Sequence, residues 1–122
     1  MRISGAESLI MEALWANHPT TAEDIFARVA PGRGWSETTV KTLLARLVGK
    51  KAVDTEREGR RYLYRPLLAR EAYVESESRE FIDRMFGGRV APLVSHFSAR
   101  EKLSPEDIAE LKRLLAEIDD GQ

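Results

Sequence analysis

The stretch from Ser36 to Pro66 reads SETTVKTLLARLVGKKAVDTEREGRRYLYRP. Its first half has the spacing of an amphipathic helix, with Ser36 in the position of an N-cap. Its second half contains two short segments in which β-branched and aromatic residues alternate with polar ones, as is typical of strands. Gly59 lies between them and permits a tight turn. A helix that leads directly into a hairpin predicts a winged helix.

The helix has two unlike faces at about 100° per residue. One face is aliphatic and consists of Val40, Leu43, Leu44 and Leu47. The other is narrow and consists of Thr38, Thr42 and Ala45, with Thr39, Lys41 and Arg46 beside it. Small residues flanked by cations suit a DNA major groove, because threonine offers a methyl and a hydroxyl while Lys and Arg reach guanine edges or phosphates. An ordinary surface helix with a solvated polar face is the alternative, and the helix alone does not decide.

Positive charge is concentrated in the same stretch. Residues 41–65 contain eight cations and three acids, a balance of +5 in a chain whose net charge is −1. Residues 1–68 hold eleven basic and eight acidic side chains, whereas residues 69–122 hold eight and twelve. Because the charge is segregated, we expect the two parts of the chain to have different partners.

Composition narrows the class of protein. A chain of 122 residues with 43% hydrophobic content can form one small globular domain and an appendage. It has no apolar run of 18 residues and no signal-peptide pattern, which predicts a soluble, cytoplasmic protein without membrane insertion. The absence of cysteine excludes disulfides, thiolate metal sites and a cysteine nucleophile. No cofactor is predicted.

Two helices are predicted before this stretch. Ser4 and Glu7 have the spacing of a capping box, and so have Thr20 and Glu23. The connection to the central helix is longer than the turn of the simplest helix-turn-helix, so we expect Trp35 to lie in a short strand that completes a three-stranded wing sheet.

Amphipathic helices are predicted after Pro66, with Ser104 as the N-cap of the last one. We therefore predict a mainly α fold with a small β wing: a winged helix-turn-helix DNA-binding domain over residues 1–68 and a helical dimerisation domain over residues 69–122. The apolar positions that we assign to the dimer interface are Tyr73, Phe81, Ile82, Met85, Phe86, Leu93, Val94, Phe97, Ile108, Leu111, Leu115 and Ile118.

Four blocks of the sequence resemble a known family. They are GWSETTVKTLLARL (34–47), EREGRRYLYRPL (56–67), FIDRMFGG (81–88) and EKLSPEDIAELKRLL (101–115). In this order they are similar to the BlaI/MecI penicillinase-repressor family of bacterial winged-helix transcription regulators, which includes the copper-responsive CopY branch. That branch senses metal through C-terminal cysteines, which are missing here, so we discard the copper interpretation.

The resemblance implies a homodimer that occupies an inverted-repeat operator and blocks transcription. Half-sites about one helical turn apart, roughly 34–36 Å, would match such a dimer. We call the groove-facing side chains the reading surface: Ser36, Thr38, Thr39, Lys41, Thr42 and Arg46. The expected wing anchors to phosphate are Arg57, Arg60 and Arg61.

The resemblance also implies a route of release, through which family members control antibiotic resistance. A membrane-bound sensor with a metalloprotease domain, triggered by a β-lactam, leads to cleavage at an Asn-Phe bond in the dimerisation helices. That bond aligns here with His96-Phe97, of which only Phe97 matches. The alternative is that Phe97 is an ordinary apolar residue in the core of the dimer and not part of a cleavage site.

A second difference from the family sequence lies at the end of the central amphipathic helix, which is the proposed recognition helix. Family members tend to read Lys-Lys-Gly, whereas this chain reads Gly49-Lys50-Lys51. If the last position needs a left-handed backbone, a non-glycine residue such as Lys51 lowers the stability of the fold by roughly 1–2 kcal/mol. Alternatively, the helix ends near Gly49 and the wing starts at a different angle.

A module that binds protein and an enzyme are the alternative classes of function. A winged helix can bind protein instead of DNA, but such a module would more often carry apolar or acidic residues where the reading surface lies. An enzyme has no support, because no glycine-rich phosphate loop and no Ser/His/Asp set with suitable spacing occurs.

Overall fold

The computed structural model describes residues 2–100 and 103–121. In chain order the elements are α1 (Gly5–Ala16), α2 (Ala22–Val29), α3 (Glu37–Gly49), β1 (Val53–Glu58), β2 (Arg61–Pro66), α4 (Arg70–Phe86), α5 (Ala91–Ala99) and α6 (Pro105–Asp120). The predicted fold class, mainly helical with a small antiparallel wing, is confirmed. The chain divides into two compact units, Met1–Val74 and Glu75–Gln122.

The core of the first unit lies where α1, α2 and α3 pack together and against the base of the wing. Its buried apolar side chains are Ile3, Ile10, Met11, Leu14, Ala22, Ile25, Val29, Val40, Leu43, Leu44, Leu47, Ala52 and Val53. All four aliphatic positions predicted on the central helix are among them. Trp35 packs against this core as a half-buried side chain.

Side-chain caps start the first three helices. Ser4 and Glu7 form the predicted capping box of α1. Ser36 caps α3 by accepting a hydrogen bond from the amide of Thr39 at 3.1 Å. The cap predicted for α2 was wrong by one residue, because Thr21 accepts the bond from the amide of Asp24.

The wing is a two-stranded antiparallel hairpin in which Val53 pairs with Pro66 and Glu58 with Arg61. Gly59 turns it with a φ of 64°. The predicted third strand at Trp35 was wrong, because Thr20 takes that place through an isolated bridge to Tyr64, with N–H···O distances of 3.1 and 2.7 Å.

Helix α3 ends at Gly49, and Lys50 is its C-cap. Lys51 then has a φ of 65°, which is the left-handed region. The helix end at Gly49 and the left-handed backbone at Lys51 therefore occur together. Directly afterwards, the carbonyl of Ala52 accepts hydrogen bonds from the amides of Leu67 and Leu68, which tie the two ends of the wing together.

Replacing Lys51 by glycine is expected to raise the free energy of unfolding by about 1 kcal/mol, because glycine adopts this φ without a Cβ clash. Urea unfolding would measure the change. Lys51→Ala is the control, since it removes the same side chain but keeps the Cβ. If glycine proves no more stabilising than alanine, the backbone at Lys51 is not strained.

The second unit contains most of α4, with α5 and α6. Ser104 caps α6, as predicted, by accepting from the amide of Asp107. Of the residues described in this unit, none is buried within the single chain. Large apolar side chains stay exposed on all three helices and at the cap of α5: Phe81, Met85, Val90, Phe97, Ile108, Leu114, Leu115 and Ile118. Within residues 2–100 and 103–121, the structure contains no helix that combines the length and the apolar character needed to cross a membrane.

Candidate nucleic-acid interface

The polar face of α3 is open to solvent. Because Val40, Leu43, Leu44 and Leu47 are all buried, the opposite side of the helix points away from the core. The exposed residues there are Thr38, Lys41, Thr42, Ala45 and Arg46. This is the narrow small-residue face with a cation at each margin that the spacing predicts.

Ser36 and Thr39, two residues of the predicted reading surface, also interact with each other. The two hydroxyl oxygens lie 3.1 Å apart, and Ser36 also accepts from the Thr39 amide. These side chains therefore hold the start of α3, while Thr38 and Thr42 are exposed farther along the same face.

Lys41 lies beside a carboxylate and near the wing. Its Nζ is 3.4 Å from Oε1 of Glu37, one helical turn earlier, and both side chains are about half exposed. Burial raises the pKa of the Tyr64 hydroxyl on β2, and the positive charge of Lys41 acts in the opposite direction.

The wing cations are held in place by neighbours. Arg61 donates to Glu58 at 2.8 Å, and this hydrogen bond, followed by the charge of Glu58, raises the pKa of Arg61. Arg57 donates to the carbonyl of Gly59 at 3.1 Å, and its guanidinium lies 5.8 Å from the centroid of the exposed Tyr62 ring. Such contacts orient the two guanidinium groups at the tip of the hairpin.

Arg60 and Arg65 complete the positive wing. Arg60 is exposed in the turn next to Gly59. Arg65 donates to Glu56 across the hairpin at 3.0 Å. Since these carboxylates partly neutralise their partners, the positive field of the wing is weaker than the count of cations implies.

Glu37 and Glu58 are not among the site residues predicted from the sequence, although each pairs with one of them. The Glu37–Lys41 pair has the i, i+4 spacing at which side chains meet on a helix, and that signal was available in the sequence. Tyr62, which supports Arg57, carries no such signal because its contact depends on the hairpin register.

A buried ion pair fixes the base of the site. Glu7 is 1% exposed, and its Oε1 accepts from Nζ of Lys50 at 2.6 Å and from the amide of Ser4 at 2.8 Å. Lys50 also donates to the carbonyl of Arg2 at 2.8 Å. The end of α3 is thereby fastened to the start of α1.

The residues assigned to the dimer interface lie in two environments. Tyr73 packs in the first unit, with its ring 5.6 Å from that of Trp15, whose Nε1 donates to the carbonyl of Leu68. The others lie in the second unit, where Phe81 and Phe86 form an edge-to-face pair at 6.0 Å. Between α5 and α6 runs an open apolar groove lined by Leu93, Val94, Phe97, Leu103, Leu111 and Leu114.

The His96–Phe97 bond lies within α5. Both side chains are exposed, and their rings form an edge-to-face contact with centroids 5.2 Å apart. Within the described part of the chain, no group of three or more His, Cys, Asp or Glu residues is placed to hold a metal ion.

Known proteins resemble this chain over nearly its whole length. The penicillinase repressor family model matches residues 3–117. The penicillinase repressor of Bacillus licheniformis is 31% identical over 95% of this chain and 91% of its own. The methicillin resistance regulatory protein MecI of Mammaliicoccus sciuri is 30% identical over 93% and 92%.

The fold agrees with a solved relative. The structure of the Bacillus licheniformis BlaI monomeric form in complex with the blaP half-operator superposes with a TM-score of 0.53 and 29% identity, over 60% of this chain and 89% of that one. With the family match, the helical core and the wing in agreement, the chain belongs to the penicillinase repressor family, a family of transcriptional repressors and not of enzymes.

Proposed function

We propose that the protein represses transcription as a homodimer bound to an inverted-repeat DNA operator. The observation that carries the proposal is the exposed face of α3, where Thr38 and Thr42 lie between Lys41 and Arg46 while the opposite face is buried. Because the buried face of α3 is packed in the core, the helix is held rigidly and can present small side chains to base edges at a fixed depth in the major groove. The wing arginines then contact phosphates beside the groove and position the helix.

Dimerisation is supported by the second unit. Its helices are amphipathic, yet none of its described residues is buried within one chain. A second copy of the same surface would cover the apolar faces of these helices, and a two-fold dimer requires two related half-sites. The solved relative bound to a half-operator agrees with such a division of the site.

Release from DNA is proposed to follow cleavage in α5 by a protease that a membrane-bound β-lactam sensor controls. The exposure of His96 and Phe97 in the single chain supports this route. Cleavage of a bond in the dimerisation unit would also separate the two DNA-binding units, so that they no longer bind the two half-sites as one molecule. Phe97 can equally serve as an apolar dimer contact, since its ring lines the groove between α5 and α6.

Selection from random duplex DNA tests the proposal most directly. We expect an inverted repeat to be enriched, and its affinity to fall with salt at a log–log slope of about −4 to −9, which corresponds to roughly five to ten phosphate contacts. Weak, salt-dependent binding without any enriched sequence would instead favour a module that binds protein through the polar face of α3.

Lys41→Ala and Arg46→Ala are each expected to weaken binding to the selected operator by about 5- to 150-fold, as the loss of one base or phosphate contact does. Both side chains are exposed, so neither change should alter the fold or the oligomeric state. Circular dichroism and sedimentation would check this. Arg79→Ala is the matched control, because it removes an exposed arginine paired with Glu75 in the second unit. Unchanged operator affinity in both variants would refute the reading surface.

A further inference from the structure

Glu37 is the first residue of α3 and lies at the edge of the reading surface. Its carboxylate is half exposed and 3.4 Å from Nζ of Lys41. The N-terminal residues of a recognition helix are the ones that reach base edges in helix-turn-helix proteins. A carboxylate therefore stands where DNA, with its phosphates on both sides, is expected to dock.

This carboxylate does not help general DNA affinity. It repels phosphate and partly neutralises Lys41, which is one of the two cations at the margin of the face. Nor does the helix depend on it for a cap, because Ser36 already binds the Thr39 amide. An exposed i, i+4 pair at 3.4 Å is weak and is easily opened when DNA offers both partners better contacts.

The major groove offers a pattern that matches the pair. Guanine presents two adjacent acceptors, N7 and O6, and the N4 amine of the paired cytosine lies next to O6 as a donor. Lys41 is a donor and Glu37 a neighbouring acceptor, in complementary order. An A·T pair fits less well in either orientation. With adenine in the place of guanine, Lys41 meets the adenine N6 donor and Glu37 meets the thymine O4 acceptor; with thymine in that place, Lys41 finds one acceptor where guanine offers two.

We propose that Glu37 is a specificity-determining residue: with Lys41 it reads one G·C base pair in each half-site by accepting a hydrogen bond from the cytosine N4 amine. The inference rests on the proposed docking of α3 in the major groove. It assigns the carboxylate a role in choosing sequence at the expense of affinity for DNA in general.

Parallel selections with wild type, Glu37→Ala and Glu37→Gln test the inference. Wild type is expected to prefer G·C at one position of each half-site by about 5- to 150-fold over other pairs. Glu37→Ala should lose that preference and bind arbitrary DNA more tightly. Glu37→Gln should admit adenine there, because an amide can pair with adenine N6 and N7. Circular dichroism would check that α3 is intact.

Glu58→Gln is the matched control. Glu58 is also an exposed carboxylate paired with a proposed DNA contact, Arg61, but it lies on the wing. Its replacement should tighten binding to all sequences and leave every base preference unchanged. If Glu37→Ala selects the same bases as wild type at every position, the inference is overturned while the operator remains. If wild type selects no sequence, the proposed function fails, and this inference fails with it.

Discussion

Leu115→Asp is expected to separate the dimer into monomers and to weaken binding to the full operator by about 10²- to 10⁴-fold. Leu115 is 62% exposed in the single chain and lines an apolar groove with Val90, Ala91 and Val94. In the proposed dimer this groove is covered, so an aspartate would be buried without a partner. The loss of affinity follows because two linked half-site contacts become two separate weak ones.

Ala116→Asp is the control for this variant. It introduces the same charge one residue later, on the polar side of α6, where it should remain in solvent. Sedimentation equilibrium would give the oligomeric state, and titration of full and half operators would give the affinities. Both variants should bind a half operator equally well. A Leu115→Asp protein that stays dimeric would show that the face of α6 does not form the interface.

Glu7→Ala is expected to lower the free energy of unfolding by about 2–4 kcal/mol. It breaks a buried ion pair and leaves Lys50 and the Ser4 amide without their acceptor. The expected loss is smaller than that for a fully buried pair, about 3–5 kcal/mol, because Lys50 is 36% exposed and can regain water. The same change should loosen the end of α3 and the start of the wing, which Lys50 fastens to α1.

Glu12→Ala is the matched control, because Glu12 is also a helix α1 glutamate bound to a distant cation, Arg70 at 3.0 Å. Both of those side chains are about half exposed, so this variant should change stability much less. Urea unfolding of the two variants gives the comparison. Equal losses would mean that the burial of Glu7 has no energetic consequence.

The Glu7 pair should also appear in the pH dependence of stability. Burial raises the pKa of Glu7, but the hydrogen bonds from Lys50 and Ser4 outweigh burial, so the pKa lies below its ordinary value of 4.5. The folded state therefore binds the proton less tightly than the unfolded state does. The stabilisation is complete above about pH 4.5 and is lost as the pH falls through the lowered value. The stability gap between wild type and Glu7→Ala should narrow over that interval, which acid unfolding curves would reveal.

Local patterns identified most of the elements. The helix periodicity of α3, the Ser36 and Ser104 caps and the turn at Gly59 each depend on residues within a few positions of one another. Such interactions are fixed by backbone geometry, so spacing alone predicts them. The aliphatic face of α3 was predictable for the same reason, and its burial leaves the proposed reading surface exposed.

The errors lie where a distant strand or helix competes for the same residue. Thr20 has the spacing of a helix cap, but its backbone bonds to Tyr64 on β2 and leaves the cap to Thr21. Trp35 is an aromatic residue of the kind that is common in strands, but Thr20 already pairs with the edge of the sheet at Tyr64. No pattern within either segment contains this information, because the partner is brought close only by the packing of α1, α2 and the wing.

The sequence by itself thus determined the helices, the hairpin, the charged stretch and the family. The tertiary structure alone decided that Glu7 meets Lys50 across 43 positions of the chain, that Trp15 packs on Tyr73, and that Glu37 lies at the edge of an open polar face. Periodicity and caps arise from short-range geometry, which every copy of a pattern shares. Burial and long-range pairing depend on how the elements pack, and their energies are set by surroundings that no local stretch of sequence specifies.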